Sequence, residues 1–329
     1  MNLLAPIQIK PLPTPIIHGQ KIMMVGSCFT EHIGQELSDL KFDIFQNPNG
    51  ILFEPASICR SLTSYLERKH YTEADLTHYN ELWQSWDHHS RFSEPLVYNA
   101  LNLINKSQSN AYEFILEADW LLITLGSSYV YRIKEQDRFV ANCHKAPAQW
   151  FDKYLISIEE QVSWLDNIIH RLFHANSKLK ILFTISPVRH LRDGVIDNNR
   201  SKARLIETVH HLVNKFDRLF YFPAYELVVD VLRDYRFYDI DLAHPNYAAT
   251  RFVMDHFAEF AFDETTKQLN QQIREIVTAS RHKPIHPGSA QHKQFLEKYY
   301  HKTLALSREN PGLDFKKELE YFNVESLRR

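Results

Sequence analysis

Glycine is scarce in this chain, with eight in 329 residues. A residue used so rarely is placed where the backbone needs it. Three of the eight, Gly26, Gly50 and Gly126, follow strand-like segments. Cysteine is scarcer: Cys28, Cys59 and Cys143 are odd in number and widely spaced, which argues against a disulfide framework. No apolar run approaches the roughly 20 residues that a membrane span needs. Neither sign of charge dominates, with 38 Lys and Arg against 40 Asp and Glu. That balance lacks the footprint of a nucleic-acid binder or of a protein drawn to anionic membranes. The start, Met1 to Pro6, has no basic region and only a short apolar run, unlike a secretory signal. A reduced, cytoplasmic chain is therefore expected. Repeats and low-complexity tracts are also missing.

What is present is an alternation of buried strands and amphipathic helices. Ile22 to Val25 is an unbroken apolar run ended by Gly26, as in a parallel sheet. Thr30 to Leu40 carries Ile33, Leu37 and Leu40 at helical spacing, with Thr30 placed to cap. Further strands are expected at Phe42–Phe45, Trp120–Leu125, Lys180–Pro187 and Leu219–Phe222. Helices are expected at 56–66 behind Pro55, 96–117, 158–173, 199–216 and 224–235. Residues 129–133 and 138–143 read as a hairpin, and 70–95 as an irregular loop rich in His, Trp and Tyr. The expected fold is a three-layer α/β/α sandwich with a mainly parallel five-stranded sheet. It spans 1–263; residues 264–329, helical and more charged, follow as an appendage with a breaker at Pro284–Gly288.

Chemistry in open α/β sheets collects at the carboxyl ends of strands, and Ser27 sits at such an end, just before a helix. A helix N-terminus there favours developing negative charge. The bland reading of Ser27 is a helix cap. Asp241 and His244, three residues apart in a loop, can face one site, with the Asp orienting the imidazole and the other ring nitrogen accepting a proton from Ser27. Backbone N–H groups near Ser27, Gly50 and Gly126 are candidate oxyanion donors, and Asn47, Asn49 and Ser127 candidate side-chain donors. The alternative is that all six are turn residues. Cys28, beside Ser27, is a second candidate nucleophile.

Gly26-Ser27-Cys28-Phe29-Thr30 resembles the block that names the GSCFA family, with Thr where Ala is usual. The resemblance extends through Asn47-Pro48-Asn49-Gly50, Trp86-Asp87-His88-His89-Ser90, Asn142-Cys143-His144-Lys145, Ser186-Pro187-Val188-Arg189-His190, Arg200-Ser201-Lys202-Ala203 and Tyr221-Phe222-Pro223-Ala224, over roughly residues 20–260. It implies a flavodoxin-like fold of the SGNH-hydrolase type and esterase, lipase or acyltransferase activity. It also implies Ser27 as nucleophile, His244 as base and Asp241 as its partner, with Gly50 and Gly126 in the second and third blocks. Two departures stand out: the usual Asp before the Ser is missing, and Ser128 stands where the third block usually carries Asn. Asn47, Asn49 or a histidine of the 86–90 loop are the expected substitutes.

The expected function is a serine esterase or O-acyltransferase acting on a small-molecule or carbohydrate ester, without cofactor or metal, with His88, His89, His144 and Arg189 lining the site. One alternative is a non-catalytic carbohydrate-binding module. Another is a metal-dependent hydrolase using His88, His89, Cys143, His144 and Asp241, although adjacent pairs lack the gaps common in zinc sites. Arg189, His190, Arg192, Arg200, Lys202 and Arg204 form a basic cluster whose plain reading is a solvated face and whose functional reading is recognition of an anionic or sugar-linked substrate. No partner in nucleic acid or membrane is expected.

Overall fold

The computed structural model describes residues 5–323. Met1 to Leu4 and the charged end at Arg328 and Arg329 lie outside the described residues. The chain opens with β1 (Lys21–Gly26), α1 (Cys28–Asp39), β2 (Asp43–Gln46) and α2 (Pro55–Leu66). A short hairpin of β3 (Thr77–Tyr79) and β4 (Leu82–Gln84) leads to α3 (Val97–Glu117) and β5 (Trp120–Leu125). Then come β6 (Tyr129–Ile133), β7 (Arg138–Val140), β8 (Phe151–Leu155), α4 (Ile158–Ala175), β9 (Lys180–Ile185), α5 (Val195–Lys215) and β10 (Leu219–Phe222). The short α6 (Ala224–Glu226) runs into a π-helical turn, Leu227–Leu232. Four helices finish the described chain: α7 (Tyr247–Ala261), α8 (Glu264–Ser280), α9 (Ala290–Glu309) and α10 (Lys316–Phe322).

The main sheet is wholly parallel, in the order β10-β9-β5-β1-β2. Numbered by position in the sheet's own chain order, that is the flavodoxin-like arrangement, with its switch point between β1 and β5. Strand period explains the layers. Ile22 and Met24 face one side with Trp120, Leu122 and Leu182, and are covered by Phe29, Ile33 and Leu37 of α1 and by α7 and α8. Met23 and Val25 face the other side with Leu121, Ile123 and Phe183, under α2, α3, α4 and α5. Both faces are buried, so the strands read as continuous apolar runs. The C-terminal helices belong to the first of these cores: Ile273, Ile276, Leu296 and Phe322 pack in the same cluster as α1 and Phe42. No helix among the described residues is long and apolar enough to cross a membrane.

Several local expectations change. Ser27, not Thr30, caps α1, and Thr30 is buried inside the first turn. The loop at 70–95 contains the β3–β4 hairpin. The 129–143 hairpin gains a third strand, β8, whose register pairs Tyr129 with Leu155. Helix α5 begins four residues early, at Val195. The helix expected to reach Tyr235 instead loosens into the π turn and stops at Arg233, which is left-handed at φ 53°.

Candidate active site

The β1-to-α1 turn is built by Gly26, whose φ is +150°. A Cβ there would lie 2.4 Å from the Thr124 carbonyl oxygen, so β1 and β5 approach only because the side chain is absent. The Asn47 side-chain oxygen accepts the Gly26 N–H at 2.9 Å, tying the exit of β2 to the same turn. Ser27 follows. Its N–H donates to the Thr124 carbonyl at 3.2 Å, and its Oγ accepts the Phe29 N–H at 3.3 Å. The hydroxyl thus stands at the N-terminus of a 12-residue helix, where the backbone dipoles favour negative charge. Cys28 begins the helix, and burial pushes its thiol pKa up, which weakens it as a rival nucleophile.

Asp241 and His244 meet within their own loop. His244 Nδ1 lies 2.6 Å from Asp241 Oδ2, while Asp241 Oδ1 accepts the N–H groups of Ala243 and His244 at 2.9 and 3.0 Å. The His244 and Ala243 N–H groups and the imidazole hold the Asp241 carboxyl down to about 2. With Nδ1 committed to the carboxylate, Nε2 is left to exchange a proton. Arg189 fixes the loop: its N–H donates to the Ala243 carbonyl at 3.0 Å, and its guanidinium donates to the hydroxyls of Tyr235 (2.6 Å) and Tyr238 (3.2 Å) while lying over both rings. His244 opens on a cleft of about 350 Å³ shared with His32 and Glu36 of α1 and with Tyr247 and Arg251 of α7. Among the described residues, no hydrogen bond joins Ser27 to His244.

The other expected site residues divide. The Gly50 N–H donates to the Asn47 carbonyl and the Gly126 N–H to the Phe53 carbonyl, both at 2.7 Å, so these two amides hold turns. Asn49 is occupied by the Tyr65 hydroxyl and the Asp87 carbonyl, and Ser127 Oγ by Ser201 and the Tyr129 N–H. Asn47 keeps one amide proton unassigned, the other reaching Glu31 at 3.4 Å. His89, half-buried, packs directly over Gly50. His88 is buried beside Tyr71 and Phe92 with Nδ1 against Ser85 Oγ, and burial takes its pKa down to about 3. His144 Nε2 donates to the Ser85 carbonyl at 2.8 Å from a buried position against Trp86. The two histidines pack against two separate satellite cores, His88 with Tyr71 and Phe92 and His144 with Trp86. Among the described residues, no three His, Cys, Asp or Glu side chains converge to hold a metal ion.

Two residues near the site were not singled out as members of it. His190 lies beside Gly126, with its ring 5.2 Å from Phe53, and burial followed by the Lys202 charge lowers its pKa to about 4. Lys202 is fully buried, so the basic cluster is not one solvated face: Arg200 pairs with Asp197 outside, and Arg204 binds the carbonyls of Leu155 and Ile156. The signal was available, since Lys202 precedes Leu205, Val209 and Leu212 by three, seven and ten residues on the apolar stripe of α5.

Among solved structures, the chain is similar to a Streptococcus pneumonia protein provisionally described as a platelet activating factor: 10% identity, 75% of this chain, 86% of that chain, TM-score 0.40. A family two carbohydrate esterase from Clostridium thermocellum matches at 11% identity over 75% of this chain and 65% of that one, with TM-score 0.38. A carbohydrate esterase family 3 protein from Talaromyces cellulolyticus matches at 9% identity over 78% and 99%, with TM-score 0.35. Likeness at this level carries no inference about the reaction. No curated protein matches the chain. Residues 21–257 match the model of the GSCFA family, and residues 273–326 match the C-terminal domain of GSCFA domain proteins. The chain belongs to the GSCFA family.

Proposed function

We propose that this protein is a serine acyl hydrolase or O-acyltransferase acting on an ester, with a carbohydrate ester as the favoured substrate. The observation that carries the reading is the Asp241–His244 pair, an imidazole oriented at 2.6 Å by a firmly ionised carboxylate and open to a cleft beside α1. Ser27, at the N-terminus of α1, is the nucleophile in this reading. Its Oγ attacks the ester carbonyl as His244 Nε2 takes the proton. The imidazolium, stabilised by Asp241, returns that proton to the departing alkoxide. Water then releases the acyl group in a hydrolase, and a sugar hydroxyl takes it in a transferase. The carbohydrate preference rests on two exposed aromatics, Tyr247 in the wall of the cleft and Tyr235 beneath Arg189, the residue that holds the His244 loop.

The test is turnover of a panel of acetylated sugars and aryl acetates by wild type, Ser27→Ala and His244→Ala. Loss of roughly 10³-fold or more in kcat with either variant supports the reading. A second reading, a non-catalytic glycan-binding module, is favoured by the Ser27 Oγ contact to the Phe29 N–H instead of to His244. It requires glycan binding that survives Ser27→Ala, with no turnover of any ester.

A further inference from the structure

Lys202 is 1% exposed, yet its ammonium has no acidic partner among the described residues. Nζ instead donates to the carbonyl oxygens of Gly126 and Ser186, each at 2.6 Å. Those carbonyls follow β5 and β9, the strands at the centre of the sheet. An ammonium has three donors, so one N–H remains beyond the two strand-end bonds. Its surroundings are Cys28, next to Ser27, His190, and the Tyr225 ring 5.8 Å away. A lone buried cation is expensive to maintain without a use. Meanwhile Ser128, standing where the family's third block usually supplies an Asn donor, is locked away. Its N–H donates to Ser201 Oγ at 2.7 Å and its hydroxyl to the Ser201 carbonyl at 2.9 Å. The same turn of α5 therefore withdraws one donor and installs a charge beneath the strand ends.

We propose that Lys202 is an electrostatic support beneath the ends of β5 and β9, offering positive charge to a developing oxyanion where the family's third block usually offers a neutral side-chain amide donor. This rests on the acyl-transfer reading above. Lys202 acts through space and through the two carbonyls it fixes, as a positioning residue. Burial brings its pKa down to about 7, so the charge is present below neutrality and fades above it. His190 is a built-in reporter of that charge. The groups facing it are Lys202 from α5, Asp193 from its own turn, Lys153 from β8 and His244 from the catalytic loop.

The experiment uses full-length wild type, Lys202→Met and Lys202→Arg, each checked for a cooperative thermal melt. Fluorophosphonate labelling rates are measured from pH 5.5 to 9, and the His190 ring is titrated by NMR. The wild-type rate should fall again above neutral pH as Lys202 loses its proton. Lys202→Arg, which stays charged, should lack that fall. Lys202→Met should label roughly 100-fold more slowly, and its His190 pKa should rise by about one unit, with no rise in Lys202→Arg. Should Lys202→Met not fold, the contrast between wild type and Lys202→Arg decides. Wild-type labelling and an unmoved His190 in folded Lys202→Met overturn the proposal. If wild type is not labelled at any pH, the serine reading fails separately. A shifted His190 then still supports a cation held at the strand ends beside Gly126, and an unshifted one overturns it.

Discussion

Asp241 accepts three hydrogen bonds, two from its own loop backbone and one from the His244 ring. That arrangement sets the tautomer of His244, and Asp241→Asn reverses it. An amide N–H facing Nδ1 would put the ring proton on Nε2 and remove the base. Serine-probe labelling should then fall roughly 10²- to 10⁴-fold with the fold intact; an unchanged rate would separate Asp241 from the chemistry. Glu54, the buried cap of α2, makes a different residue-scale prediction. Burial raises its pKa to about 7, and its Oε1 accepts the Ser57 N–H. The unfolded chain ionises near 4.3, so between about pH 4 and 7 the unfolded state binds fewer protons and stability falls as pH rises. Glu54→Gln keeps the capping oxygen and removes this loss. Urea unfolding should find it equal to wild type at pH 4 and more stable at pH 8 by on the order of 3 kcal/mol. Some of this scale could be read from sequence. The Asp241–His244 spacing announced a local pair, because residues three apart meet when the chain turns, as it does here through the Asp241 carboxylate. Glu54 could not be read as a charge in the core, since a carboxylate beside a helix start is ordinarily solvated, whereas Lys202 could have been, from its place on the apolar stripe of α5.

At the scale of elements, the strands were readable because sheet residues buried on both faces leave unbroken apolar runs, as in Trp120 to Leu125. The helix ends were not. Thr30 and Ser27 are both competent caps, and the choice is made by tertiary packing: Gly26 turns the chain against Thr124, which leaves Ser27 extended at ψ 175° and ready to cap. Strand β8 escaped notice because Phe151-Asp152-Lys153-Tyr154-Leu155 carries two charged residues in five, and it pairs on one side only, with β6. The π turn after α6 has the composition of a helix, and its Leu227, Val228 and Val231 are buried in the core with α7. Gly26 carries an element-scale prediction. In Gly26→Ala the added methyl meets the Thr124 oxygen at 2.4 Å, within the central pair of strands. Chemical denaturation should show a loss of roughly 2–4 kcal/mol or failure to fold, whereas a wild-type midpoint would mean that β1 and β5 are less closely held.

Across the whole molecule, two cores flank one sheet, and the C-terminal helices complete one of them. Ile273 and Ile276 of α8 share a cluster with Ile33, Phe42 and Phe262, and Lys41 pairs with Glu318 of α10 at 2.7 Å. A chain ending at 263 would expose that apolar face. It should lose its cooperative melt or aggregate on gel filtration, and a monomer that melts like the full chain would show that α8–α10 are dispensable. The sheet order also puts the turns after β1, β5 and β9 at one edge, where Ser27, Gly126 and Ser186 lie, and the loop of Asp241 and His244 docks there through Arg189. The measurement that tests the central assignment most directly is intact mass after fluorophosphonate treatment of wild type, Ser27→Ala and Cys28→Ala, with the modified residue located by peptide mapping. The expected result is one adduct on wild type and on Cys28→Ala, carried by Ser27, and none on Ser27→Ala. An adduct that persists in Ser27→Ala, or a wild type that takes none, would contradict a nucleophile at residue 27.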